Sequence, residues 1–155
     1  MVSMMKGPHD IARTQLGVAE KTGKNDGIPA QRYMRGDALA WCAGFVLWCV
    51  HQSDSRWRHA FEAQHYKCRR VAGFIDVAGE NGVFRPRKGY DPQPGDVIFF
   101  ANATSDVGVA GNHCGIVEHV TEGRVHTIEG NSGNKVARRD YAVDDKRIAG
   151  YASLA

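Results

Sequence analysis

The chain has 155 residues, of which 43% are hydrophobic and 24% charged, and it carries a net charge of +3. That length makes one ordinary domain with its own core, and the composition excludes disordered, collagen-like and low-complexity chains. So small a positive charge is not the footprint of a dedicated nucleic-acid binder, although it suits weak attraction to an anionic polymer.

In chain order, Met1 to Pro8 lacks the basic start and apolar run of a secretory signal. Pro8 to Lys21 reads as a first helix, with proline tolerated at its start and Gly23 beyond its end. Thr22 to Pro29 is turn-rich, and Ala30 to Arg35 makes one or two helical turns. Asp37 is placed to cap the strongest helix, Ala38 to Gln52, which is apolar nearly all round and therefore buried on most sides. Its apolar run, Leu39 to Val50, is far shorter than the roughly 20 residues that cross a membrane, so no membrane insertion is expected. A polar stretch from Arg56 to Arg70 precedes a short helix, Val71 to Ala78.

The second half alternates. Strands are expected at Asp96 to Phe100, His113 to Val120, Arg124 to Asn131, Lys135 to Ala142 and Arg147 to Ser153, with Thr104 to Asn112 as a loop. The short connections make the later strands antiparallel, so helices followed by an antiparallel meander give the α+β class.

Four cysteines, at 42, 49, 68 and 114, contain no C-x-x-C pair, which argues against a zinc ribbon or finger. If the buried helix begins near Trp41, Cys42 lies in its first turn, where unpaired N–H groups and the dipole favour a thiolate. The alternative is a small apolar core residue, as expected for Cys49 on the same helix. A thiolate nucleophile needs a base. Among seven histidines, His51, His59 and His65 lie in polar helical surroundings and are expected to be solvated. His113 and His119 fall on one strand face, with His126 on the next strand.

Register sharpens this choice. A three-residue turn, Thr121-Glu122-Gly123, would pair Val120 with Arg124, Val117 with Thr127, Gly115 with Glu129 and His113 with Asn131. His113 would then share its face with Glu129 and Asn131, either of which could fix the imidazole tautomer. A two-residue turn would send Glu129 to the opposite face. Gly115 and Gly130 leave room for another element or a substrate to approach. Cys114 points away from His113 and is expected in the core, and the two cannot chelate a metal together.

Four segments now stand in order: Trp41-Cys42-Ala43-Gly44-Phe45-Val46, Pro94-Gly95-Asp96-Val97-Ile98-Phe99-Phe100, His113-Cys114-Gly115-Ile116-Val117 and Ile128-Glu129-Gly130-Asn131. Together they resemble the CHAP domain, a cysteine- and histidine-dependent amidohydrolase/peptidase family in the NlpC/P60, papain-like group, and the likeness spans about residues 10 to 152. Leu16 to Glu20 and Ile148 to Tyr151 look like a small branch of that family from phages and bacteria. The resemblance implies a papain-like α+β fold with N-terminal helices packed on an antiparallel sheet. It implies Cys42 as nucleophile, His113 as base, Glu129 as the residue that orients the histidine, and Asn131 as a fourth polar member. It implies bacterial peptidoglycan as substrate, cut at an amide by an endopeptidase or an N-acetylmuramoyl-L-alanine amidase.

Some relatives bind calcium through upstream aspartates. Here only Asp26 and Asp37 are acidic in the stretch from Lys24 to Cys42, so neither a metal nor another cofactor is expected. A monomer is expected, with no nucleic-acid partner, and no attached wall-binding module is seen. Synthesis in the cytoplasm followed by release to the wall is expected, as for a phage lysin, a virion-associated enzyme or an injected effector. The rival readings are a non-catalytic wall-binding module on the same fold and an intracellular thiol amidohydrolase with another substrate.

Overall fold

The computed structural model describes residues 5–101 and 110–154. Among the described residues, six helices precede and flank a six-stranded antiparallel sheet: α1 (Pro8–Thr14), α2 (Ile28–Tyr33), α3 (Cys42–Gln52), α4 (Arg58–Glu62), α5 (His65–Cys68) and α6 (Val71–Glu80), then β1 (Phe84–Pro86), β2 (Val97–Ala101), β3 (Ala110–Thr121), β4 (Arg124–Glu129), β5 (Ala137–Ala142) and β6 (Ile148–Ala152). The spatial order is β1-β6-β2-β3-β4-β5. The expected α+β class holds, but the sheet is a meander only from β2 to β5. β6 returns across it to lie between β2 and the short β1, a strand that the alternation of the sequence does not announce. Of the expected loop Thr104 to Asn112, residues 104–109 lie outside the described residues, and 110–112 open β3.

Two helix boundaries and the burial of one histidine differ from expectation. α1 stops at Thr14 rather than Lys21, because the following segment pairs with the start of β5: Val136 N–H donates to the Val18 carbonyl at 2.8 Å, and Ala19 bridges Lys135. α3 begins at Cys42 rather than Ala38, and Asp37 is not its cap; that carboxylate accepts from Arg69 at 2.5 Å. The residue before the helix is instead Trp41, pinned by its indole N–H to Glu20 at 2.7 Å and stacked on Tyr33 at 5.5 Å. Finally, His65 is not solvated; its ring is 5% exposed and neither ring nitrogen has a hydrogen-bond partner among the described residues.

The core follows from two patterns. α3 buries Cys42 to Leu47, Cys49 and Val50 against the sheet and the other helices, each large side chain contributing about 1.5–3 kcal/mol on burial. Along β2, alternation sends Val97 and Phe99 to the helix face, with Cys114, Ile116, Ile128 and Ala152. Ile98 and Phe100 go to the other face, with Val117, Val125, Ile148 and Tyr151. Both faces are therefore buried at the sheet centre, which explains why β2 reads as a continuous apolar run.

The β3–β4 hairpin departs from the expected register at its tip and recovers it at its base. Thr121 pairs with Arg124, so the turn has two residues, Glu122 and Gly123, both with positive φ (53° and 74°), as a type I′ turn requires. Alone, that turn would place Glu129 opposite to His113. The ladder shifts between Val117 and His119, a bulge at Glu118 that restores Val117↔Thr127 and Ile116↔Ile128. The bulged carboxylate is clamped by Arg13 of α1 at 2.7 Å and Arg138 of β5 at 2.9 and 3.0 Å.

Candidate active site

Cys42 is the first residue of α3, and Trp41 at the N-cap supplies no side-chain cap. Its first N–H groups are therefore left for an anion. β4 pairing with β3 runs only to Ile116↔Ile128, and α3 brings the Cys42 thiol to the stretch of β3 beyond it. The thiol meets the His113 imidazole, the Cys114 side chain and the Cys114 backbone N–H.

These contacts set the charge state. Cys42 is held well below the usual thiol range, first by the hydrogen bond from Cys114 and then by the bond and charge of His113, against the opposing effect of burial. His113 is raised to about 10: burial acts to lower it, and the bonds and charges of Cys42 and Glu129 together outweigh that. Both shifts favour a thiolate–imidazolium pair over two neutral groups.

The imidazole is fixed from behind. His113 Nε2 lies 2.7 Å from Glu129 Oε1, which leaves Nδ1 as the ring nitrogen for Cys42. Glu129 is 1% exposed. Its Oε2 accepts from the Thr127 hydroxyl at 2.5 Å and from the Tyr141 hydroxyl at 2.8 Å. Phe100 stacks on His113 with ring centroids 5.9 Å apart, and it also meets Tyr141 at 4.7 Å.

Two glycines make the assembly possible by close approach. A Cβ on Gly115 would lie 2.6 Å from Glu129 Cγ, and one on Gly130 would lie 2.6 Å from Phe45 Cβ of α3. The room expected beside these glycines is thus filled by the glutamate and by the helix.

The structure brings together Cys42, His113 and Glu129 and leaves Asn131 apart. β4 ends at Glu129, and Asn131 takes a left-handed conformation (φ 56°) that ends the ladder, so the expected His113–Asn131 pairing does not form. The Asn131 amide donates instead to Asn25 Oδ1 at 3.4 Å. Cys114 is fully buried as expected, but it does not stand clear of the site, since its thiol and amide both reach Cys42. Thr127 and Tyr141 were not anticipated. Thr127 lies two residues from Glu129 on the same strand face, a signal available in the sequence; Tyr141 depends on β5 packing, which is not. Among the described residues, no group of three or more His, Cys, Asp or Glu is placed to hold a metal ion. Nor is any described helix long and apolar enough to cross a membrane.

The CHAP domain family model matches residues 34–131, a span that contains all four segments named above. No curated protein matches the chain significantly. Solved structures that share its fold include the crystal structure of Ly7917, with a TM-score of 0.57, and that of Ly7917 with the hydrolyzing product of MDP, with a TM-score of 0.55. Each is 15% identical, and the likeness covers 95% of this chain but only 60% and 61% of theirs.

Proposed function

The chain belongs to the CHAP domain family, and from that premise we propose that it is a peptidoglycan hydrolase cleaving an amide bond by a Cys42–His113–Glu129 thiol mechanism. The observation that carries the reading is the uncapped start of α3 holding a thiol against an imidazole, which is itself bonded to a buried carboxylate. The substrate class is supported by the solved relative bound to the hydrolyzing product of MDP, a peptidoglycan fragment.

In this mechanism the Cys42 thiolate attacks the amide carbonyl carbon, and the oxygen takes up the negative charge. The N–H groups at the start of α3 are the donors for that oxyanion. As the tetrahedral adduct collapses, the carbon–nitrogen bond breaks and His113 gives its proton to the leaving amine, leaving a Cys42 thioester. His113, now neutral, takes a proton from water. The resulting hydroxide attacks the thioester, the acid product departs and the thiolate returns. Glu129 holds the ring in place and balances the imidazolium throughout. Asn131 enters as support, tying the end of β4 to the 22–27 loop through Asn25.

The same reading places the enzyme as a monomer acting on the wall after release from the cytoplasm. Replacing Cys42 with Ala should lower release of soluble fragments from purified walls by about 10⁴-fold or more while leaving the circular-dichroism spectrum unchanged. Retained hydrolysis in that variant would sink the mechanism. Parent protein that binds walls but releases no new amine termini by mass spectrometry would leave a wall-binding module, and the identity of new termini separates an endopeptidase from an N-acetylmuramoyl-L-alanine amidase. Activity should also fall as the pH rises through about 10, where His113 loses its proton.

A further inference from the structure

Glu129 has two oxygens, and the structure divides their work. Oε1 faces His113 Nε2 at 2.7 Å, whereas Oε2 takes both hydroxyls, from Thr127 at 2.5 Å and Tyr141 at 2.8 Å. A carboxylate turning about its last bond would exchange its two oxygens, and two donors converging on one of them oppose that turn. The donors are neutral, so they fix the carboxylate without cancelling the charge that the imidazolium meets. Tyr141 comes from β5, two strands away from His113 in the sheet order.

The Tyr141 ring is held as firmly as its hydroxyl. One side packs on Phe100 at 4.7 Å, and the Arg147 guanidinium lies 5.5 Å from the ring centroid. Phe100 in turn stacks on His113. Tyr141 is therefore joined to His113 by two routes, a hydrogen-bonded one through Glu129 and a packed one through Phe100. Burial, then the Glu129 charge, pushes the phenol above its usual range, so it stays a donor.

We propose that Tyr141, assisted by Thr127, is a positioning residue that acts through Glu129 to keep Oε1 on His113. The proposal rests on the reading of Cys42, His113 and Glu129 as the reacting set. Among the described residues, the charged and titratable groups around His113 are Cys42 from α3, Cys114 beside it on β3 and Glu129 from β4; Arg139 and Arg147 act on Tyr141 itself.

Tyr141→Phe keeps the ring and its stacking and removes only the hydroxyl. With ¹⁵N-labelled histidine in the full chain, the His113 titration followed by NMR should move down by about half to one pH unit, because the carboxylate, less firmly pinned at Oε2, is free to turn Oε1 away from the imidazolium. On purified walls, kcat should fall roughly 5- to 20-fold with KM held. Thr127→Val should move both readouts the same way, and Thr127→Ser should restore them. A His113 titration that superimposes on the parent's in both Tyr141→Phe and Thr127→Val, with only the melting temperature lowered, would overturn the proposal. The titration needs no substrate, so it still decides the role of Tyr141 if the parent fails to digest walls and the wall reading falls.

Discussion

Glu118 and Glu129 are both nearly buried, at 4% and 1% exposure, and both belong to the β3–β4 hairpin. Their partners differ in kind. Glu118 is met by two guanidiniums, Arg13 and Arg138. Glu129 is met by two hydroxyls and one imidazole. A guanidinium keeps its proton at any ordinary pH, so the Glu118 cluster has nothing to exchange. An imidazole can give its proton up, so the Glu129 cluster contains a mobile proton, the one that the proposed acyl transfer would use. Buried carboxylates on one ribbon can thus serve as rivet or as catalytic partner according to whether their donors titrate.

That contrast can be broken at either end. The largest effect is expected at the reactive end: Glu129→Gln should lower wall hydrolysis by about 10²- to 10³-fold, because the imidazolium loses its counter-charge while the packing volume is kept. Near-parental activity in that variant would erase the distinction. Glu118→Gln should do the reverse, costing about 1–2 kcal/mol in urea denaturation, a modest figure because both guanidiniums are partly exposed, with hydrolysis within about twofold of parent.

The acid side sharpens the same comparison. Arg138 first, then Arg13, hold the Glu118 carboxyl at about 2 in the folded chain, below its unfolded value of about 4.3. Its stabilisation is full above the unfolded value and is lost as the pH falls through the folded one. Parent stability should therefore decline between about pH 4.5 and 2, and Glu118→Gln should flatten that limb in acid titrations followed by circular dichroism. The smallest effect is expected at the tip. Gly123→Ala strains the left-handed position of the turn (φ 74°) and should cost about 1 kcal/mol in melting experiments, with the hydrolytic rate unchanged.

Much of this site was readable in the chain because it is local. Cys42 opens an apolar helix, and His113 and Glu129 meet across a hairpin whose Val117↔Thr127 pairing the sequence implied, although the expected His113–Asn131 pairing does not form. The route to that register was not readable. The turn is one residue shorter than expected, and the compensating bulge sits where Glu118 is bonded by Arg13 and Arg138, both distant in sequence. Tyr141 escaped for the same reason, since nothing near it in sequence says that β5 delivers its hydroxyl to β4. Cys114 shows the limit of alternation: strand geometry put its side chain on the far face from His113, and the structure keeps it there while the thiol of α3 reaches both. The return of β6 between β1 and β2 is likewise a non-local pairing.

The bulge at Glu118 has a practical side. Because it resets the phase of β3 after the turn, the tip formed by Glu122 and Gly123 and the base carrying His113 are geometrically decoupled. Both tip residues are exposed. The hairpin tip is therefore a natural grafting point, where a label, an affinity tag or a targeting module could be spliced in while the Arg13–Glu118–Arg138 clasp keeps the far end of the ribbon in step.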